Sequence, residues 1–309
     1  MITDVRLGRR GVLTAAAAAL VGCAPEPGER TPATPSQPSG PVSGGPGSTP
    51  PASPIPNSPT PSSAAPSPTP SPPAPALRTR DDIVAEFADR TPSQWGLEVD
   101  GVVLRTTAPA LCLTFDACGG WSGSGYDEDL ITALMDSDTP ATLFLNSRWI
   151  DANPQTVRDL MAIPLFELAN HGSTHRPLSV SGQSAYGITG TASVGEVYDE
   201  VAENQAVMTS LLGKPPRFFR SGTAHYDDVA VQIVLALGLV PVNFDINTDA
   251  GATFTSSQVR AATTDAREGS IGIGHFNRPG SGTARGIAEA IGELDARGMS
   301  FTTLGDALA

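Results

Sequence analysis

The residues best equipped for chemistry lie in one run, Asn170-His171-Gly172-Ser173-Thr174-His175. The chain holds four histidines, and two of them stand here four positions apart. In a helical turn, that spacing stacks both imidazoles on one face. Two imidazoles on one face can close on a single Zn²⁺-like ion at about 2.0–2.1 Å. The same spacing also arises when one histidine caps a helix and the other is solvated. The pair gains weight from Asp116, Arg220, Asp245 and His275, four polar residues that each follow a short apolar run.

Those runs alternate with helical patterns. Ala110 to Phe115 reads as an apolar strand ending at Asp116 and a Gly-rich loop. Ala141 to Leu145 and Leu165 to Leu168 read as strands, and the second leads directly to His171. Arg217 to Phe219 precedes Arg220, Val240 to Phe244 precedes Asp245, and Ser270 to Gly274 precedes His275. Between them, 82–90, 127–135, 153–161, 193–212, 228–237, 257–266 and 284–294 carry helical spacing of apolar residues. Ser193 with Glu196 forms a capping-box pattern at the start of the longest. Leu97 to Leu104, with Asp100-Gly101 in the middle, predicts a hairpin, and 301–304 a last strand. Alternation of this kind implies an α/β fold with a largely parallel sheet, closed or nearly closed as a barrel. Residues at strand C-termini then share the face on which such barrels build chemistry.

In this order and spacing the chain resembles the polysaccharide deacetylases, the NodB-homology enzymes of carbohydrate esterase family four. Thr114-Phe115-Asp116-Ala117 is similar to the family's T-F-D-D motif, and 170–175 to its H-[ST]-x-x-H motif. Phe219-Arg220-Ser221-Gly222 stands where the family has F-R-P-P-Y. Asp245 to Asp249 stands for the fourth motif and Ile273-Gly274-His275 for the fifth. The resemblance implies a distorted (β/α) barrel, and a divalent metal, zinc for preference, used to remove N- or O-acetyl groups from a glycan such as peptidoglycan. It implies His171 and His175 as metal ligands, Asp116 as general base and His275 as general acid. It further implies Arg220 holding Asp116 ionised, and Asp245 or Asp249 orienting His275.

Two departures matter. The family's metal-binding aspartate falls at Ala117, which cannot ligate. Three repairs are open, ranked in this order: Asp116 itself as ligand, a thiolate from Cys118, or two histidines with extra waters. The third motif lacks its prolines and aromatic, reading Ser221-Gly222-Thr223-Ala224-His225-Tyr226. Both departures leave open a second expectation, a barrel that binds glycan without hydrolysing it. Trp121, Tyr126 and His225 are candidates for substrate contact, and Asn146 and Arg148 for the cleft lining.

The N-terminal part has another character. Residues 1–23 read as an export signal: Arg9-Arg10, an apolar run too short to span a bilayer, and Leu20-Val21-Gly22-Cys23. The ending resembles a bacterial lipobox with Cys23 lipidated, and the paired arginines resemble a twin-arginine signal. Residues 24–80 are dominated by Pro, Ser, Thr, Ala and Gly, too poor in apolar side chains to offset the entropy of ordering. The expectation is a domain at 81–309, tethered by a lipid anchor on the outer side of the cytoplasmic membrane.

The chain has 32 acidic and 19 basic residues. Residues 1–80 hold 3 and 6 of these, so 81–309 carries 29 against 13, a net charge near −16. A field of that sign disfavours nucleic acid and anionic lipid as partners. Cys112 and Cys118 on one strand would stand roughly 20 Å apart, too far for a disulfide.

Overall fold

A computed structural model describes residues 78–309. The export signal, the paired arginines, Cys23 and nearly all of the linker lie outside the described residues.

Nine strands and nine helices are defined among the described residues. The strands are β1 (Trp95–Gly96), β2 (Cys112–Ala117), β3 (Ala141–Leu145), β4 (Phe166–Asn170), β5 (Phe218–Phe219), β6 (Tyr226–Asp227), β7 (Val240–Pro241), β8 (Ile246–Asn247) and β9 (Ile271–His275). The helices are α1 (Arg80–Phe87), α2 (Glu128–Asp136), α3 (Ser147–Ala152), α4 (Pro154–Met161), α5 (Val194–Leu212), α6 (Asp228–Ala236), α7 (Ser256–Thr264), α8 (Thr283–Ala296) and α9 (Leu304–Ala307). Seven strands form one sheet in the order β7-β5-β4-β3-β2-β9-β8, and every pair in it is parallel. All residues of β2 and β3 are buried, as expected of parallel strands covered on both faces.

The expected hairpin at Leu97–Leu104 does not form. Val103 instead pairs parallel with Val242, just past β7, and Arg105 bridges Ser270, just before β9. This one segment therefore joins the β7 edge of the curled sheet to the start of β9, next to the other edge strand β8, and nearly closes the barrel. A hairpin would have left these backbone groups without partners.

Side chains alternate across the strands. Leu113, Phe115 and Ala117 of β2 join the core shared with α2, α3, α4 and α8, while Cys112 joins an inner cluster with Phe144, Ala169, Phe218, Ile271 and Leu304. A second outer layer packs α1, α5 and α6 around Phe219 and Tyr226. The expected last strand is reduced to one bridge, Phe301 pairing parallel with Leu111, after which the short helix α9 plugs the bottom of the barrel. The Leu304 amide donates to Thr142 Oγ1 at 3.0 Å and the Gly305 amide to Glu167 Oε2 at 2.8 Å. Only half of the expected capping box forms. Ser193 accepts from the Glu196 amide, but Glu196 Oε2 turns to Arg176 Nη1 and the Ala192 amide.

Candidate active site

The parallel register carries the chemistry to one end of the sheet. Asp116 on β2 stands beside His275 on β9, and Asn170 on β4 stands beside Phe219 on β5. His171 and Arg220 are the next residues along β4 and β5. Asp116, Cys118, His175 and His275 all line one cleft of about 640 Å³, within the range of small-molecule sites.

Asp116 is buried at the floor. Its Oδ1 accepts from Arg220 Nη1 at 2.7 Å, and its Oδ2 stands 3.5 Å from His171 Nε2. Arg220 is fully buried and each of its three nitrogens donates: besides Nη1, Nε donates to the Val242 carbonyl and Nη2 to the Asn243 carbonyl, and the guanidinium lies 4.2 Å above the Phe144 ring. Burial acts to raise the Asp116 pKa. Arg220 and the nearby histidines outweigh it, so the carboxyl lies below its ordinary value.

The two histidines meet, but not on a helical turn. Residues 171–175 are irregular, with Gly172 at φ +77° and His175 at φ +63°, and the two rings pack edge to face with centroids 4.9 Å apart. Glu200, a buried carboxylate on α5, makes the bend possible. Its Oε1 accepts from the His175 amide at 2.8 Å and both oxygens accept from the Thr174 amide. Gly172 packs so closely on Glu200 that a Cβ would meet Oε1 at 2.5 Å. Gly222 is held as tightly, since a Cβ there would meet the His175 carbonyl carbon at 2.2 Å. Asn146 supports the loop from below, donating to the carbonyls of His171 and Gly172. Sequence reasoning missed Glu200, because one acidic residue on an amphipathic helix gives no sign of pointing inward.

His171 Nδ1 lies 2.9 Å from the Arg220 carbonyl, which can only accept, so Nδ1 carries a proton and Nε2 is the ring atom that can present a lone pair when the ring is neutral. Nearby, His175 Nε2 is buried with no hydrogen-bond partner. Cys118 Sγ lies 3.9 Å from His171 Nε2. Among the described residues, Cys118, His171 and His175 form a group whose ligand atoms all lie within 4.8 Å of one another. Asp116, ranked first above to replace the missing ligand, is not in that group. Burial raises the Cys118 thiol pKa, and the surrounding histidines, His175 foremost, bring it well below the ordinary value. Cys112 and Cys118 are both free, as their spacing implied.

Of the two aspartates offered for His275, Asp249 is the partner. His275 Nδ1 donates to Asp249 Oδ1 at 2.9 Å and the His275 amide to Oδ2 at 2.7 Å. Thr283 Oγ1 and the Gly251 amide complete the carboxylate's partners. Burial lowers the His275 pKa, but Asp249 outweighs it and lifts the group well above the ordinary value. Asp245 is not part of the site. It accepts from the Ile271 amide at 2.8 Å and Ser270 Oγ at 2.9 Å, and pairs with Arg105. The register explains this: Ile246 pairs with Gly272, so Asp245 falls beside the start of β9, roughly 13 Å from His275 at its end.

Trp121 is fully exposed on the cleft rim, and Arg148 lines the cleft. Tyr126 is packed against the outer core layer instead. His225 lies between the rings of Trp95 and Tyr186, and its Nδ1 donates to the Thr223 carbonyl at 2.8 Å. It thus braces Tyr186, an exposed cleft residue that sequence reasoning also missed.

Replacing Arg220 by methionine leaves the Asp116 carboxylate buried without its counter-charge. We expect a loss of about 3–5 kcal/mol at neutral pH by urea unfolding. The folded-state pKa of Asp116 is depressed, so the pair's stabilisation is present above the unfolded value and is lost as pH falls through the folded one. The gap between wild type and Arg220→Met therefore narrows below the ordinary carboxylate range; a gap unchanged down to acid unfolding contradicts this account.

Residues 104–242 match the family described as Polysaccharide deacetylase. No curated protein matches the chain. Among solved structures, a CE4 family pseudoenzyme from Bacillus anthracis is 18% identical over 72% of this chain and 71% of its own, with a TM-score of 0.57. A peptidoglycan N-acetylglucosamine deacetylase is 17% identical, covering 67% and 92%, with a TM-score of 0.56. A family 4 carbohydrate esterase from Streptomyces lividans, in complex with acetate, is 20% identical, covering 64% and 94%, with a TM-score of 0.52. At these identities the likeness is one of fold. The fold is the distorted (β/α) barrel of the NodB and CE4 type, and residues 104–242 within it are similar to the polysaccharide deacetylases.

Proposed function

We propose that this protein is a metal-dependent deacetylase that hydrolyses acetyl groups on a cell-wall glycan such as peptidoglycan. The observation that carries the reading is the pairing of Asp116 with Arg220 and of His275 with Asp249 across one cleft. One carboxyl is held ionised and one imidazole is held protonated, side by side on adjacent strands. Hydrolysis of an amide needs that combination at one pH.

The donor chemistry at the cleft fits a divalent cation, zinc for preference. His171 Nε2 is fixed as an acceptor, and His175 Nε2 is a buried polar atom without a partner. His171 and His175 would hold the ion. Once bound, such an ion lowers the pKa of a ligated water and polarises an acyl carbonyl. Asp116 takes the proton of the attacking water. His275, oriented through Nδ1 by Asp249, gives the proton from Nε2 to the departing sugar nitrogen or oxygen. The carbon–nitrogen or carbon–oxygen bond breaks, leaving acetate and the free amine or hydroxyl. Trp121 and Tyr186, exposed at the cleft, offer apolar ring faces against which a sugar can stack.

Ala117 favours one other reading, a barrel that binds glycan without cleaving it. Acetate release from acetylated peptidoglycan fragments separates the two. We expect turnover in the zinc-loaded wild type, and a loss on the order of 10²–10⁴-fold in Asp116→Asn with the circular dichroism spectrum unchanged. Saturable glycan binding with no acetate from the loaded wild type supports the second reading.

The pH profile tests the acid. Asp249 holds the His275 pKa up, so the protonated form persists above the ordinary histidine range. Asp249→Asn removes that support, and the alkaline limb of kcat/KM moves to lower pH. An alkaline limb at the same pH in both proteins assigns the proton to another group.

Residues 1–80 support a location. The lipobox-like Leu20-Val21-Gly22-Cys23 and the proline-rich stretch after it fit a domain held off the outer side of the cytoplasmic membrane by a lipid on Cys23. Fatty-acid labelling of the full chain in cells is expected in wild type and lost in Cys23→Ser. Equal labelling of both, or of neither, contradicts the anchor.

A further inference from the structure

We propose that Cys118 is the third protein ligand beside His171 and His175, so that the centre is a Cys-His-His site selecting thiophilic cations such as Zn²⁺ and Co²⁺ over Mg²⁺ and Ca²⁺. The inference rests on the metal reading above and concerns what completes that centre.

Geometry carries it. A tetrahedral centre with Zn–S near 2.3 Å and Zn–N near 2.0–2.1 Å has a sulfur–nitrogen edge of roughly 3.6 Å. Cys118 Sγ and His171 Nε2 stand 3.9 Å apart, so that edge closes with a shift of a few tenths of an ångström. The strand sets the direction. Side chains alternate along β2, so Ala117 turns into the outer core layer while Asp116 and Cys118 both line the cleft. Cys118, two positions after Asp116, thus reaches the cleft that the Ala117 methyl does not.

The loop around Cys118 is held in place. Its carbonyl accepts from Arg148 Nη2 at 3.0 Å, and the Ala117 carbonyl accepts from the Asn146 amide at 3.1 Å. Gly119 and Gly120, at φ +68° and +84°, then turn the chain sharply away. A Cβ on Gly119 would meet the Trp149 amide nitrogen at 2.6 Å, so the turn cannot move outward without cost. Two further observations point at the same spot. His171 Nε2 presents a lone pair there, and His175 Nε2 is buried and unpartnered. Asp116 has one oxygen committed to Arg220, which leaves it free to act as base rather than ligand.

The donor set decides the cation. A thiolate with two imidazoles suits zinc and cobalt, whereas Mg²⁺ and Ca²⁺ prefer oxygen donors.

The test uses the full chain, stripped of metal and reloaded with one equivalent of Co²⁺. We expect a sulfur-to-cobalt charge-transfer band in the near ultraviolet, absent in Cys118→Ser. Zinc affinity in Cys118→Ser falls by more than the roughly 10–100-fold typical of losing an outer-shell partner. Alkylation of Cys118 by iodoacetamide is slow in the zinc-loaded wild type and fast after chelation. Stoichiometric Co²⁺ without the band in wild type, or unchanged zinc affinity in Cys118→Ser, overturns the proposal. Acetate release separates the two readings. The band without turnover supports this ligand set and removes the deacetylase reading. Turnover with metal lost in His171→Ala, but no band, does the reverse. A wild type that takes up no metal removes both.

Discussion

The structure turns on one buried side chain, the guanidinium of Arg220. A charged carboxylate at the bottom of a barrel is costly unless it is paired and hydrogen-bonded. Arg220 meets that requirement for Asp116, and spends its remaining donors on the Val242 and Asn243 carbonyls next to β7. One residue thus ties β2 to the strands on the far side of the curled sheet. Its backbone acts as well, because the Arg220 carbonyl fixes the tautomer of His171. The charge of Asp116 and the ring orientation of His171 therefore depend on the same residue.

Around that centre, buried carboxylates hold the other working groups. Glu200 bends the histidine loop by accepting a fan of backbone amides, and Asp249 orients His275 while accepting three further donors. His175 is held at φ +63°, a conformation that non-glycine residues adopt only where surroundings impose it. Here the Glu200 carboxylate on one side and the close approach of Gly222 on the other impose it. The loop that bears the histidines is thereby braced on both sides.

Cys118 follows from the same economy of position. Ala117 packs into the outer core layer, while Asp116 before it and Cys118 after it both line the cleft. In the centre proposed above, a thiolate at 118 would soften the donor set and so bias the choice of cation.

The alternation of β and α elements was legible in the sequence because parallel strands buried on both faces read as short apolar runs, and the helices between them keep their own period. The five strand-end motifs were legible too, since each follows such a run. The hairpin at 97–104 was misread, and the strand at 301–304 is only the bridge of Phe301 to Leu111, for one reason. Whether Val103 meets Val242 or Leu304 plugs the barrel depends on closure in three dimensions. The loop of 171–175 looked helical because spacing was the only guide, and Glu200, which bends it, lies 25 residues beyond His175. What the sequence determined by itself was the order of elements and the inventory of acids, bases and ligands, because these depend on local pattern and residue type. Tertiary structure alone decided that Asp249 rather than Asp245 meets His275, and that Cys118 joins His171 and His175. Those choices follow from strand register and from which face of a strand a side chain takes, quantities fixed only when strands distant in sequence are aligned.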